Sequence, residues 1–254
     1  MSAEDVISRF EKAGGQGSWP FIDKEDVIAG VRVRVGNASK IDQGTSSLCG
    51  PSALLYSLIK KNPEAYASYI TQLYDNGSAK IGSLDVKPSS GTRNYKVPKD
   101  KIHPVDWMGL ASLRDSENLA MSYSSVDDKA AGITMPGKLA DWFTKAGFSS
   151  VKNVTNVLIT KSKSDVEAAD KLRSQGSRVC LFINGDMLDS ATQNNKSVIP
   201  DHWVVLTAGV NFFEGDRISM TIFTWGQGMR AVPQTGDLSL SSFLNNFYGY
   251  VAAT

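Results

Sequence analysis

An α+β fold is what this sequence predicts, on three observations. Patterns with helical spacing and helix caps occupy the chain up to about residue 176, and strand-like apolar runs come after it. No internal repeat, low-complexity tract or interdomain linker interrupts the 254 residues. A single domain over 1–254 is therefore expected, helical over about 40–176 and sheet over about 177–254. Hydrophobic residues at 41% and charged residues at 21% are ordinary for a globular chain with a sizeable core.

Taken in order, residues 2–13 put Ile7 and Phe10 on one helical face, with Val6 at its edge, and the stretch from Gly14 to Gly17 breaks that helix. Residues 27–35 (VIAGVRVRV) alternate apolar with other residues and read as a strand or extended arm. Residues 43–55 (QGTSSLCGPSALL) are a small polar loop running into Cys49, where an apolar helix begins. Pro51 is tolerated in a first helical turn, and Ala53, Leu54, Leu55, Leu58 and Ile59 supply a wide apolar face. Asn62-Pro63 ends that run and caps a second helix, reaching about Tyr74, with Tyr66, Tyr69, Ile70 and Leu73 inward. Residues 76–103 are rich in Gly, Pro, Ser and Lys and read as a long loop or loose hairpin.

Residues 104–117 are predicted helical, with Trp107, Leu110 and Leu113 buried. Residues 136–145 form a helix on Leu139, Trp142 and Phe143, stopped by Gly147. Ser164 and Glu167 read as a capping box for a helix ending near Gly176. Strands are expected over 179–183, 202–208 and 217–225, with Cys180 in the packed core, and a closing helix over 239–248.

Cys49 would lie at a helix N-terminus, where backbone N–H groups and the helix dipole favour a thiolate. A small buried cysteine without chemistry fits the same place. The chain has two histidines. His103 sits beside Pro104 at the edge of the polar segment. His202 opens an apolar strand after Pro200 and Asp201, a position that suits either a cleft or a satisfied structural histidine. A nucleophilic cysteine needs a base distant in sequence and adjacent in the fold, and His202 is the candidate. A net charge of +1 without a basic cluster argues against nucleic acid as the main partner. No apolar run approaches the roughly 20 residues of a membrane span. Two cysteines far apart make no disulfide framework and fit a reducing cytosol. No cofactor and no metal are expected.

In this order, the motifs resemble the papain-like cysteine peptidase superfamily. Gln43 stands one loop before Cys49, Cys49 opens a long helix, His202 opens a downstream strand, and Trp225-Gly226 comes after the next strand. Cys49-Gly50 with Leu54 beyond it is more similar to bacterial branches, such as bacteriocin-processing, staphopain-like and effector enzymes. The resemblance covers roughly residues 40–60 and 178–228. It implies a papain-like fold, with an N-terminal helical subdomain whose nucleophile helix packs on a C-terminal antiparallel β-sheet. It also implies Cys49 as nucleophile, His202 as general base and then acid, and Gln43 as oxyanion donor together with the Cys49 backbone N–H.

The third member departs from the family pattern. Relatives place Asn or Asp shortly before the tryptophan, where this chain has Phe223 and Thr224. The Thr224 hydroxyl can accept from the imidazole N–H as a weaker orienter, and Gln227 and Asp201 are alternatives. Trp225 suits either a shield over that contact or the core. Gly50-Pro51 stands where plant and animal relatives carry an aromatic residue.

The function so implied is a cysteine-dependent hydrolase acting on an amide bond. Peptidase, glutamine deamidase, transglutaminase and cell-wall amidase all need the same thiolate, base and oxyanion donors, so the motifs do not separate them. No propeptide or N-terminal signal is expected. The protein is then made in the cytoplasm and, as a bacterial secreted effector or toxin, exported by a dedicated system. A protein or peptide-like substrate is expected, with a secretion chaperone, host target or inhibitor protein as further partners. The alternative of another class is a catalytically impaired papain-like binding module. A redox protein using Cys49 and Cys180 carries less weight, because neither has a CxxC neighbour. Residues 76–103 suit a substrate wall or lid, and Trp107 and Trp203 suit either a cleft or the core.

Overall fold

Helices come first in this α+β chain and an antiparallel sheet comes second. The computed structural model describes residues 1–98, 100–116, 134–159, 161–189, 192, 200–224 and 228–254. The chain divides into two units, one of Met1–Thr134 with Lys145–Gly147, the other of Met135–Thr144 with Phe148–Thr254. Residues 136–144 and the helix of residues 163–174 fall in the second unit with the strands.

The first unit opens with α1 (Ala3–Lys12), capped reciprocally by Ser2 and Asp5 and buried through Ala3, Ile7 and Phe10. Residues 27–35 are not extended: they form the body of α2 (Lys24–Gly36). Val27, Gly30, Val31 and Arg34 are its buried positions, and that three-and-four spacing closes one helical face. The Val/Arg alternation imitates a strand because Arg34, a charged residue, points inward.

The cysteine helix, α3 (Cys49–Lys61), is buried at every position from Cys49 to Ile59, as befits a helix at the centre of its unit. Asn62 accepts from Ala65 N–H and Pro63 opens α4 (Pro63–Asn76), whose Tyr66, Tyr69, Ile70 and Leu73 are buried. Next come a hairpin of β1 (Ala79–Ile81) and β2 (Leu84–Val86) and the short α5 (Ser90–Arg93). The segment expected as a long loop or loose hairpin thus contains a hairpin, together with a short helix. Ser116 Oγ and Asp115 accept from Lys87 N–H at 2.7 Å and Ser89 N–H at 2.5 Å.

Helix α6 runs as Pro104–Asp106, widens to a π-turn over Trp107–Ala111 and resumes as Ser112–Ser116. Glu117, the expected last residue, lies outside the described residues. Trp107, Leu110 and Leu113 are fully buried. Within the widened turn, the Gly109 carbonyl accepts from Tyr69 Oη of α4 at 2.7 Å, which ties the two helices together.

In the second unit, α7 (Pro136–Lys145) buries Leu139, Trp142 and Phe143 as expected. Helix α8 (Lys163–Ser174) starts on Ser162 rather than Ser164: the Asp165 carboxylate accepts from Ser162 N–H and Oγ, both at 2.7 Å. The local run Ser-Lys-Ser-Asp contains two candidate caps, and Asp165 at the third helical position closes the box on the earlier one.

Eight antiparallel strands make the sheet: β3 (Lys152–Asn153), β4 (Arg178–Ile183), β5 (His202–Leu206), β6 (Asn211–Phe213), β7 (Arg217–Phe223), β8 (Met229–Val232), β9 (Leu238–Ser239) and β10 (Phe247–Ala253). Their main path is β3-β10-β4-β5-β7-β6, with β8 and β9 also paired to β7. Cys180 is fully buried in β4, in keeping with its expected core position.

The closing helix expected over 239–248 is shorter, α9 (Leu240–Asn245), capped by Ser239. The chain then enters β10, a strand inside the sheet between β3 and β4. All seven β10 residues are buried, so it shows none of the apolar–polar alternation that identifies a half-exposed strand. Among the described residues no helix is long and apolar enough to cross a membrane.

Candidate active site

Cys49 and Gln43 both lie within the helical unit. Cys49 is the first residue of α3 and only 4% exposed. Leu48 at the cap position brings no side-chain acceptor to the helix N-terminus. Gly50 is required there by close approach: a Cβ at this position would lie 2.4 Å from Thr134 Cβ and Oγ1.

Gln43 is also 4% exposed, and its Oε1 has no hydrogen-bond partner among the described residues. Its carbonyl accepts from Ser46 N–H at 3.1 Å and from Ser46 Oγ at 2.5 Å, closing the turn. Asp42 Oδ1 accepts from Gly44 N–H at 2.6 Å. Gly44 has φ +57°, and a Cβ there would meet the Lys101 carbonyl oxygen at 1.7 Å, so only glycine fits this turn.

That loop hangs on a buried ion pair which local patterns in the sequence do not reveal. Arg34 Nε donates to Asp106 Oδ1 at 2.6 Å, and Arg34 Nη2 donates to Asp106 Oδ2. Asp106 Oδ2 also accepts from Asp42 N–H at 3.2 Å. Burial pushes the Asp106 carboxyl up to about 6, against the opposing pull of the Arg34 charge and its hydrogen bonds.

His202 and Thr224 both lie within the sheet unit. His202 opens β5 and is 4% exposed; Thr224, just past β7, is 1% exposed. His202 Nε2 and Thr224 Oγ1 are 2.7 Å apart. Strand register explains the meeting. Val205 pairs with Phe223 and Leu206 with Ile222, so one further step sets Thr224 across from Val204. His202 lies two residues from Val204 on the same face, the diagonal relation that long side chains can span.

Burial pushes the His202 imidazole down to about 3, leaving it neutral near pH 7. The Asp201 carboxylate accepts from Gly185 N–H at 2.8 Å, and its own backbone N–H donates to Ile183 O at 3.2 Å. Trp225, Gly226 and Gln227 lie outside the described residues. The second histidine, His103, caps α6 by accepting from Val105 N–H at Nδ1.

Both candidate cleft tryptophans are buried. Trp107 packs on Tyr95 and donates from Nε1 to Thr92 O at 3.1 Å, and Trp203 stacks on Phe182 with ring centroids 4.4 Å apart. Neither Cys49 nor Cys180 is in a disulfide. Among the described residues, no group of three His, Cys, Asp or Glu side chains is placed to hold a metal ion.

Each unit therefore holds one chemically coherent set: a cysteine at a helix N-terminus behind a glutamine-bearing turn, and a neutral, oriented imidazole. Comparison with protein-family models, curated protein sequences and solved structures finds no match.

Proposed function

We propose that this chain is a papain-like cysteine hydrolase acting on amide bonds, with Cys49 as nucleophile and His202 as base. The observation that carries the reading is the buried His202–Thr224 contact at 2.7 Å, which gives the imidazole an orienting partner at the position where the resemblance calls for one.

With Nε2 committed to Thr224, proton transfer falls to Nδ1. The imidazole takes the thiol proton to give a thiolate–imidazolium pair, and the Cys49 thiolate then attacks the carbonyl carbon. The imidazolium so formed is stabilised by the negative charge created with it. The carbonyl electron pair moves to oxygen, where the Gln43 side-chain amide and the Cys49 N–H are the donors. His202 then protonates the leaving amine, and water or an acceptor amine resolves the thioester. The reading requires Cys49 and His202 to meet during reaction.

The same reading carries the expectation of a protein or peptide-like substrate and of a bacterial secreted effector or toxin. Its support is the sequence resemblance, not the geometry of either half.

A second reading is favoured by two observations: Thr224 is a neutral partner, and burial holds His202 down to about 3. A papain-like binding module that has lost catalysis would tolerate both. The pH dependence of Cys49 alkylation, in wild type and His202→Ala, separates the two. The hydrolase reading expects alkylation well below the ordinary thiol pKa of about 8.5. It also expects a loss of about 10²-fold or more at neutral pH in the variant. Ordinary thiol behaviour in both proteins would leave the binding module.

A further inference from the structure

The buried charge in the helical unit calls for an explanation that stability does not supply. Arg34 and Asp106 are 4% and 2% exposed, yet they form a two-point ion pair. Desolvating two ions offsets much of their attraction, and apolar pairs of similar volume often serve the fold as well. An apolar pair cannot, however, accept a backbone hydrogen bond. Asp106 Oδ2 accepts one, from Asp42 N–H at 3.2 Å, and Asp42 in turn holds Gly44 N–H at 2.6 Å. Gln43 lies between those two anchored residues.

We propose that the buried Arg34–Asp106 pair is a positioning device for Gln43, holding the turn of residues 42–46 in the single conformation that presents the glutamine amide to a reacting carbonyl. The proposal rests on the hydrolase reading of Cys49 and Gln43. Asp106 acts here through Asp42 and touches no substrate. Its side chain orients the donor, while Gly44 lets the turn pass against the Lys101 carbonyl.

Two electrophiles separate positioning from nucleophilicity. With 4-nitrophenyl acetate, Cys49 Sγ adds to the carbonyl carbon and the π pair moves to oxygen as an oxyanion. Collapse then expels 4-nitrophenolate and leaves an acetyl thioester. With iodoacetamide, Sγ displaces iodide and no oxyanion forms. The ratio of the two second-order rates, each corrected with Cys49→Ala, reports the oxyanion donors alone.

The ratio is expected to fall at least about tenfold in Gln43→Ala, and comparably in the double variant Arg34→Met/Asp106→Leu, which removes both charges together. The melting temperature of the double variant is measured alongside. A ratio lowered by Gln43→Ala and unchanged in a folded double variant overturns the positioning role. A ratio unchanged by Gln43→Ala itself overturns it too, by removing the donor that is to be positioned. Should the double variant not fold, the neutral near-isosteric pair Arg34→Gln/Asp106→Asn carries the same test, since it removes both charges and the two-point contact that fixes the acceptor for Asp42 N–H. Wild type reacting no faster than Cys49→Ala with either reagent would instead sink the hydrolase reading, and this proposal with it.

Discussion

The cysteine side and the histidine side of this molecule are organised by opposite physics. Around Gln43 and Cys49 the chain is held by charge: a buried guanidinium–carboxylate pair anchors a turn through successive backbone N–H groups. Around His202 it is held by packing and strand register, and the His202–Thr224 contact joins two neutral groups. Charge anchoring is directional but leaves a costly residue if one partner is lost. Register anchoring comes from the sheet itself and tolerates loss of the hydrogen bond, but it strips the imidazole of solvation and so of its affinity for protons.

The contrast should break most visibly in stability. Asp106→Ala strands Arg34 as a buried uncompensated charge and should cost about 3–5 kcal/mol, whereas Arg34→Met/Asp106→Leu should be close to neutral. Urea denaturation of both variants reads this directly. Equal losses would mean that the pair acts through packing alone.

Putting a charge in place of the neutral Thr224 hydroxyl should erase part of the contrast. Thr224→Asp places a carboxylate against the imidazole, so the His202 titration, monitored by NMR at its C2–H, should rise from about 3 by about 1–3 units. An unmoved titration would mean that ring and residue 224 do not meet.

Gly44→Ala tests the turn without touching a charge. Positive φ and the Lys101 carbonyl together should cost about 1–3 kcal/mol, while Gly14→Ala, which meets no atom within 4 Å, should cost far less.

The smallest effect is a slope. The folded His202 pKa lies below its ordinary 6.5, so the unfolded chain binds the proton first as pH falls. Wild type should therefore lose stability progressively from about pH 6.5 toward pH 3. His202→Phe should lose less over that window, in denaturant melts at stepped pH. Parallel slopes would mean that the imidazole is not buried neutral.

Local chemistry makes much of this molecule readable. Asn62-Pro63 announces α4, Pro136 and Gly147 bracket α7, and the polar loop before Cys49 announces α3, because caps and breakers act on residues within one turn of themselves. Thr224 stands out by its distance from a tryptophan motif, and the sheet does bring it to His202. By contrast, α2 reads as extended because one inward arginine breaks the apolar helical stripe. The expected closing helix runs two residues into β10, and the rest of that strand goes unread, because a strand buried on both faces has no alternation to display.

The sequence by itself determined where helices begin and end wherever a cap or a proline marks them, as at Asn62-Pro63 and Pro136. Tertiary structure alone decided that Arg34 is buried, that its partner is Asp106, 72 residues away, and that the Gln43 turn is tied to that pair. The reason is range. Periodicity and capping are interactions between near neighbours, legible in a short window. A buried charge is tolerable only where a distant partner meets it, and that meeting exists only once the chain has folded.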